Sequence, residues 1–435
     1  MPVASYRLER LAASNLGLQC YNATSYFCKM KAGKILKLAR WGLIIQTIGI
    51  IGAVARSWPF TKAMRLGENW QSPLLKLEEA PPVSIIVPAR DEALNIERCL
   101  RSLLAQDYPD FEIVVVDDGS QDRTPQIIER LAAEDARLKI VRLDDQLPLG
   151  WAGKPHAMQA GVLAACSKSS WLLFTDADTR HNPSALLRAV SETLYGKADL
   201  FSVLSEIEMR SFWEKLLMPI AITGIGMQYP FDEVNAPDSK LAVANGQFLL
   251  LRRTLYDKVG GYAGKLRNSL LDDRDMALAV KAAGGRLMLR NGRDLLSVRM
   301  YRSFAEIWAG WRKNAFVGSR AAYLTVPLSI LVCIFMGAMP FLQLPYALLK
   351  WTTSKGKQGK VLLSLSALQV VTTVYSRRRL DESLGLPFQY SVLNPLGMLV
   401  FAGILSDSMW RSLTGRGLSW KGRSYENAAR SQQLI

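Results

Sequence analysis

Four long runs without a charged side chain lie outside the middle of the chain. They are residues 41–55, 321–349, 361–376 and 383–406. A helix needs about 20 apolar residues to cross a bilayer core of about 30 Å. The second and fourth runs, of 29 and 24 residues, are long enough, whereas the first and third need snorkelling ends or an interfacial position. A buried core helix is the alternative for residues 41–55, and we expect Pro340, Pro345 and Pro395 to kink or break their helices.

The middle of the chain alternates short apolar runs, the first of them rich in β-branched residues, with apolar residues at helical spacing. The runs predict strands at 83–87, 112–116, 140–141 and 171–175, and helices at 96–105, 124–133 and 155–166. Strands that alternate with helices indicate a parallel sheet covered by helices on both faces. The predicted fold class is therefore α/β.

Acidic residues follow three of these predicted strands. Glu92 comes shortly after the first, Asp117 and Asp118 end the second, and Asp176 and Asp178 follow the fourth. Ligands of open α/β sheets bind beyond the carboxyl ends of the strands. One acidic turn is ordinary, but three at the same sheet edge predict a functional site.

Each acidic segment has a structural and a functional interpretation. Asp176 and Asp178, two residues apart, suit a hard cation such as Mg²⁺ or Mn²⁺, or form a solvated turn before the next helix. Asp117 and Asp118 precede Gly119, as in many turns, or accept hydrogen bonds from a nucleobase or a ribose.

Two further segments carry candidate chemistry. Lys154 ends the loop Gly-Trp-Ala-Gly-Lys and opens a helix, where backbone amides and the ammonium can meet a phosphate. Asp272 and Asp273 open a helix that ends at Gly284. Acids at a helix N-terminus are ordinary partners of its dipole, and the alternative is a general base.

Composition and charge narrow the class of protein. Hydrophobic residues make up 49% of the 435 residues, which excludes wholesale disorder. Residues 81–306 hold 28 basic and 30 acidic side chains, and the rest holds 26 and 8, so the net charge of +16 comes from the flanks. Basic flanks beside apolar runs favour an anionic membrane surface over nucleic acid as the partner.

The cysteines and histidines narrow the chemistry further. Five scattered cysteines favour a reduced compartment. With only two histidines in the chain, catalysis is expected to rest on carboxylates.

Aromatic and apolar side chains recur at helical spacing just before the longest uncharged run. They are Phe304, Ile307, Trp308, Trp311 and Ala315, and basic side chains border them. An amphipathic helix with aromatic and basic residues suits a bilayer interface. Packing in the protein core is the alternative.

Seven segments, taken together and in order, resemble the family 2 glycosyltransferases of GT-A fold. They are PPVSIIVPARDE (81–92), IVVVDDGSQDRT (113–124), LGWAGKPHAMQAG (149–161), LLFTDADTR (172–180), NGQFLLLRR (245–253), LLDDRDMALAVKAAGG (270–285) and WAGWRKN (308–314). The chain looks like the membrane-attached branch that includes the hopanoid-associated and carotenoid glycosyltransferases.

The resemblance implies a role for each candidate residue. Binding of a nucleotide sugar, a UDP-sugar above all, is implied for Glu92, Asp117, Asp118, Lys154 and Asp176. Asp178, with Asp176, would form the DxD site for Mg²⁺ or Mn²⁺. Asp273 would be the catalytic base, beside Asp272. On the acceptor side, at the interface, we expect Gln247, Trp308 and Trp311.

One family motif is altered in this chain. Trp311 matches the tryptophan of the QxxRW motif, but Ile307 and Gly310 stand where Gln and Arg are expected. That motif is associated with processive polymer synthases, so its loss argues against polymer synthesis. Removal of the acceptor proton by Asp273 on the face opposite the leaving group would give inversion, and the amphipathic helix at 304–315 favours a membrane lipid as the acceptor. The predicted activity is therefore transfer of a sugar, with inversion, to a membrane lipid. The alternatives are a polyprenyl-phosphate glycosyltransferase, a processive polysaccharide synthase and a non-catalytic membrane scaffold.

The resulting domain plan is a GT-A domain with flanking membrane helices. Its parts are a basic N-terminal extension (1–40), a membrane or interfacial helix (41–60), the GT-A catalytic domain (81–300), an amphipathic interface helix (301–320), membrane helices (321–410) and a basic tail (411–435). We expect an integral membrane protein whose catalytic domain faces the cytoplasm. Its partners would be a nucleotide sugar donor, a lipid acceptor and the bilayer, with no nucleic acid.

Overall fold

The structure, a computed structural model, describes most of the chain. It covers residues 40–64, 70, 72–317, 322–354, 357–414, 418–420 and 423–425. Nearly all of the predicted basic extension and much of the predicted basic tail lie outside the described residues.

Strands and helices alternate through the middle of the chain, as the pattern predicts. The strands are β1 (Val83–Ala89), β2 (Phe111–Asp118), β3 (Leu138–Leu143), β4 (Trp171–Phe174), β5 (Thr179–His181), β6 (Leu200–Leu204), β7 (Glu206–Ile207), β8 (Leu249–Arg252), β9 (Leu287–Asn291), β10 (Leu296–Val298), β11 (Leu418–Trp420) and β12 (Arg423–Tyr425). The helices up to the end of the sheet region are α1 (Arg40–Met64), α2 (Ile96–Leu104), α3 (Thr124–Glu134), α4 (Gly153–Ala164), α5 (Ala185–Tyr195), α6 (Phe212–Gln228), α7 (Phe231–Asn235), α8 (Arg253–Lys258) and α9 (Asp272–Ala282).

Seven strands form the central sheet, in the order β3-β2-β1-β4-β8-β6-β9. All neighbours are parallel except β8, which runs antiparallel to β4 and to β6. A second, three-stranded sheet has the order β5-β10-β7, and β11 pairs with β12. The α/β class is confirmed.

Helices cover both faces of the sheet because successive strand residues point to opposite sides. Ile85 and Val87 pack with side chains of α2, α3 and α5. Ile86, between them, packs with side chains of α4 and α9. The burial of both faces explains the nearly continuous apolar sequence of β1.

The helix α6 was not predicted. Ser211 and Glu214 form a capping box at its start, in which Ser211 Oγ accepts from Glu214 N–H. The Glu214 side chain is 2% exposed and pairs with Arg299 through Nε–Oε1 (3.1 Å) and Nη2–Oε2 (3.3 Å). Since most of the helix is apolar and buried, its sequence shows no polar stripe.

The remaining helices form a second body beside the sheet. They are α10 (Phe304–Val317), α11 (Ala322–Leu331), α12 (Met339–Ser354), α13 (Lys357–Ser383), α14 (Gln389–Val392) and α15 (Asn394–Thr414). Side chains of α6, α10 and α15 pack together in one apolar cluster. Gln369 Nε2 of α13 donates to Thr47 Oγ1 of α1 at 2.8 Å, which ties α1 to this body.

Two described helices are long and apolar enough to cross a membrane: α1 and the helix Ala322–Thr353. In the second, a π-helical segment, Val332–Ala338, joins α11 to α12, and the helix continues through Pro345. A π segment relieves the backbone before Pro340, so the proline distorts the helix without ending it.

Residues 383–406 are not one continuous helix, as the expected break at Pro395 implies. Helix α13 ends at Ser383, Gly385 has a left-handed backbone (φ +67°), and Pro387 follows. A left-handed glycine followed by a proline stops a helix. The short helix α14 follows, and the next long helix, α15, begins at Asn394, with Pro395 in its first turn.

Candidate active site

A cavity of about 340 Å³ lies at the carboxyl edge of the central sheet, beyond β1, β2 and β4. Its lining comes from Arg90 and Glu92 after β1, Asp118 of β2, Lys154 of α4, Asp176 and Asp178 after β4, Gly246 and Gln247 before β8, Asp272 and Asp273 of α9, and Gly310, Lys313 and Asn314 of α10. The sheet edge therefore gathers segments that are far apart in sequence.

Eight of the eleven predicted site residues line this cavity: Glu92, Asp118, Lys154, Asp176, Asp178, Gln247, Asp272 and Asp273. Asp117, Trp308 and Trp311 are outside the lining. The individual roles of these residues stay predictions.

Asp117 shapes the turn after β2. Its side chain is buried, and its Oδ1 accepts from the backbone N–H of Ser120 at 3.1 Å. Gly119, inside this turn, has a left-handed backbone (φ +70°), which glycine adopts without strain. This contact places Asp118 at the cavity wall.

Lys154 joins the acids of β4 to those of α9. Its Nζ lies 2.7 Å from Asp176 Oδ1 and 3.4 Å from Asp272 Oδ2. Burial acts to lower the pKa of Lys154, but the charges of Asp176, Asp272 and Asp273 outweigh it and hold the pKa above its ordinary value. The side chain is therefore an ammonium at any physiological pH.

The two acids that open α9 differ in their surroundings. Burial raises the pKa of Asp272 to about 6, against the opposing charge of Lys154. Asp273 Oδ2 accepts from the backbone N–H of Gly246 at 3.0 Å, and its Oδ1 accepts from that of Arg274 at 2.7 Å. A Cβ on Gly246 would lie 3.0 Å from Lys154 Nζ, so glycine permits this close approach.

His181 supports the loop that carries Asp176. Thr175 Oγ1 donates to the carbonyl of Gln247, and Thr179 Oγ1 donates to that of Asp176, both at 2.8 Å. His181 Nε2 lies 3.0 and 3.1 Å from these hydroxyls. Because each hydroxyl proton is directed at a carbonyl, Nε2–H is the donor to these hydroxyls. Burial lowers the pKa of His181 to about 3.

The aromatic residues of α10 pack inside the protein. Trp308 Nε1 donates to Asp407 Oδ2 of α15 at 2.8 Å, and Trp311 lies against Phe401 of the same helix, with ring centroids 5.9 Å apart. Ile307 is fully buried. The face predicted to lie at the bilayer interface thus packs on α15 and α6, which agrees with the core-packing alternative.

The opposite side of α10 lines the cavity, and sequence reasoning did not place it there. Gly310, Lys313 and Asn314 reach the lining. Their spacing of three and four residues puts them on one helical face. That spacing is a signal in the sequence, but only the packing of Trp308 and Trp311 shows which face meets the cavity.

Asp176 and Asp178 offer the hard oxygen donors that Mg²⁺ and Mn²⁺ prefer. Both carboxylates line the cavity. Among the described residues, no group of three or more His, Cys, Asp or Glu side chains is arranged to hold a metal ion. An ion held here would complete its shell with water and substrate oxygens, which is usual for Mg²⁺. The donor set therefore fits such an ion.

Residues 84–260 match the family model described as glycosyl transferase family 2. The protein is a glycosyltransferase. The matched segment of this glycosyltransferase begins in β1 and ends after α8, so it includes the strand ends that carry Glu92, Asp118 and Asp176. The mixed sheet agrees with the GT-A fold that the resemblance implies.

Curated relatives of this glycosyltransferase are named 4,4'-diaponeurosporenoate glycosyltransferases. The 4,4'-diaponeurosporenoate glycosyltransferase of Staphylococcus aureus strain MRSA252 is 25% identical over 350 residues, which cover 79% of this chain and 88% of the relative. The enzyme of the same name from strain bovine RF122 / ET3-1 matches with the same identity and coverage. The resemblance to the diaponeurosporenoate glycosyltransferases is confirmed.

Solved structures with a similar arrangement were also found. The mannosyltransferase PcManGT from Pyrobaculum calidifontis, in complex with GDP-Man and Mn²⁺, matches with a TM-score of 0.49 and 18% identity, over 86% of this chain and 98% of that chain. Residues 1–349 of S. aureus TarS match with a TM-score of 0.37 and 18% identity, over 76% of this chain and 91% of that chain.

Proposed function

We propose that the protein transfers a sugar from a nucleoside diphosphate sugar, a UDP-sugar, to a membrane lipid with inversion at the anomeric carbon. The observation that carries the proposal is a cavity whose lining brings Asp273 together with Lys154 and with the pair Asp176 and Asp178. This displacement needs a base for the acceptor proton and groups that stabilise the negative charge of the leaving diphosphate.

Asp273 is the base of the proposed reaction. Its carboxylate is held by the backbone N–H groups of Gly246 and Arg274, and a carboxylate with two such bonds keeps further lone pairs for a proton. The acceptor oxygen forms a bond to the anomeric carbon while its proton passes to Asp273. The bond from that carbon to the diphosphate oxygen breaks, and its electron pair leaves with the diphosphate.

Lys154 and the DxD pair meet the charge of the leaving diphosphate. The Lys154 ammonium lies between Asp176 and Asp272, where it offers a positive charge at the cavity wall to the leaving diphosphate. A divalent cation held by Asp178 and Asp176, Mg²⁺ or Mn²⁺, would supply Lewis-acid stabilisation of the same charge. In this proposal the nucleoside of the donor is bound at the end of the site that holds Glu92, Asp117 and Asp118.

The acceptor is proposed to be a lipid because of the two long apolar helices that flank the sheet region in sequence. In α1 and in the helix Ala322–Thr353, only 28% of the most apolar window is buried, whereas a core helix of a soluble protein is mostly buried. Ile45, Leu324 and Leu342 are 67–71% exposed. Exposed apolar helices with basic flanks suit an anionic bilayer. The curated relatives, named for a carotenoid acid, add support for a lipid-like acceptor.

We place the catalytic domain on the cytoplasmic side. Cys99, Cys166 and Cys333 are free thiols, which suits a reducing compartment. Gln247, Trp308 and Trp311 are kept as the acceptor-side residues of this proposal, with the two tryptophans acting through the packing of α10 on α15.

Transfer assays in membranes test the function. Membranes that contain the full-length protein receive labelled UDP-glucose, UDP-galactose, UDP-N-acetylglucosamine or GDP-mannose and total lipid extract, with Mg²⁺ or with EDTA. We expect label in the organic phase from one donor, and its loss with EDTA and in Asp178→Ala. Asp232→Asn, an exposed carboxylate on α7, is the control and should keep activity. Label in a water-soluble polymer indicates a processive synthase, and no transfer with no nucleotide binding indicates a scaffold.

A further inference from the structure

Lys313 is a cationic side chain of the cavity that the proposed reaction does not use. It lies on the third turn of α10, beside Asn314 and one turn after Gly310, and all three line the cavity. The other side of α10 is held by the hydrogen bond from Trp308 to Asp407. This packing fixes the helical face that carries Lys313 toward the acids of the site.

The charges that line the cavity are mostly negative. Six carboxylates, those of Glu92, Asp118, Asp176, Asp178, Asp272 and Asp273, stand against the three cations Arg90, Lys154 and Lys313. An anionic substrate therefore depends on these few cations to enter. Lys154 is within 4 Å of two carboxylates, and Arg90 pairs with Asp145 at 2.9 Å.

Lys313 and Lys154 act on each other inside the cavity. Burial lowers the pKa of Lys313 and the charge of Lys154 lowers it further, while the charges of Asp272, Asp176 and Asp273 act in the opposite direction without outweighing them. Two ammonium groups in a half-buried site repel each other, and an anion that contacts both removes this repulsion. Hydrogen bonds between an ammonium and an oxyanion are also among the stronger ones in proteins.

We propose that Lys313 is a substrate-binding residue whose ammonium holds an oxyanion in the cavity, opposite Lys154. The inference rests on the proposed function, since it assumes that the substrates occupy this cavity. The same chemistry has two sources: the diphosphate of the donor, or an acidic group on the lipid acceptor. Gly310 and Asn314 line the cavity on the same helical face as Lys313.

Binding to the purified full-length protein in detergent, with Mg²⁺, separates the two sources. The donor probe is the tightest binder among UDP, GDP, ADP and dTDP, measured together with its nucleoside. The acceptor probe is oleate, measured together with oleyl alcohol. The variants are Lys313→Met, Lys313→Arg and the control Arg312→Gln, whose native guanidinium lies 3.6 Å from Asp407 on the other side of α10.

We expect Lys313→Met to reduce the binding affinity for one acidic probe by about 10- to 100-fold, which is the range for a hydrogen bond between charged groups. The matching neutral probe should bind as before, Lys313→Arg should retain most of the affinity, and Arg312→Gln should match the wild type. Weaker nucleotide binding assigns Lys313 to the donor, and weaker oleate binding assigns it to the acceptor.

Two results would overturn the inference while leaving the function intact. In the first, Lys313→Met binds the nucleotide and oleate as tightly as the wild type. In the second, it loses affinity equally for the acidic and the neutral probes, which indicates a structural effect. If the wild type itself binds no nucleoside diphosphate, the proposed function fails, and this inference fails with it.

Discussion

Acidification from pH 7 to pH 5 is expected to destabilise the sheet domain through His181 by about 2 kcal/mol. The ring is 4% exposed, and burial lowers its pKa to about 3 from the ordinary value of 6.5. The unfolded chain binds a proton to His181 below pH 6.5, whereas the folded chain keeps the ring neutral down to about pH 3. Stability is therefore present above pH 6.5 and is lost as the pH falls.

The loss follows from the two pKa values. At pH 5 the unfolded state gains about 2 kcal/mol from protonation of this side chain, and at pH 7 it gains only about 0.2 kcal/mol. For a domain of about 200 residues, a change of 2 kcal/mol corresponds to a Tm shift of about 4 to 8 °C. Other groups that bind protons between pH 7 and pH 5 also change the free energy of unfolding, so a variant that lacks only the His181 ring is needed to isolate its contribution.

Thermal unfolding of His181→Gln in detergent at pH 7 and pH 5 isolates the contribution. The glutamine amide can still donate to Thr175 and Thr179 but does not titrate. We expect this variant to lose about 4 to 8 °C less than the wild type between the two pH values. His156→Gln replaces the other histidine of the chain and is the control. Equal losses in wild type and His181→Gln would refute the reasoning.

Two further substitutions test the packing that positions the site. Gly161→Ala would place a Cβ 2.5 Å from Ile86 Cγ2 and should destabilise the protein by about 1 to 3 kcal/mol, as overpacking does. The control is Gly224→Ala, because Gly224 has open space around it. An equal Tm for the two variants would contradict the close packing of α4 on β1. Arg299→Met leaves the buried Glu214 carboxylate without its ion pair and should cost about 3 to 5 kcal/mol, measured by chemical unfolding; an unchanged midpoint would show that this pair does not hold α6.

The strands that end at the cavity could be predicted because each is a short, nearly continuous apolar run in the sequence. In β1, β2 and β4 an apolar run stops at a turn residue or an acid, so both the strand and the site at its end could be read together. The acids after these strands meet for the same reason, since parallel strands present their carboxyl ends at one edge.

Other parts could not be predicted from local patterns. The antiparallel direction of β8 depends on how the chain returns to the sheet. Helix α6 is apolar on all sides because it is buried between the sheet domain and α15, which removes the periodic signal. Which face of α10 lines the site, and so where Lys313 lies, depends on the hydrogen bond from Trp308 to Asp407, which is nearly one hundred residues later in the chain.

The most direct test of the central claim is sugar transfer to lipid by Asp273→Asn, with donor binding measured on the same samples. General base catalysis contributes about 10²- to 10⁴-fold, so we predict a loss of that size in transfer, with donor affinity within about threefold of wild type. Asp232→Asn should be fully active. Transfer at the wild-type rate by Asp273→Asn would contradict the account and point to an acceptor, such as a phosphate, that needs no base.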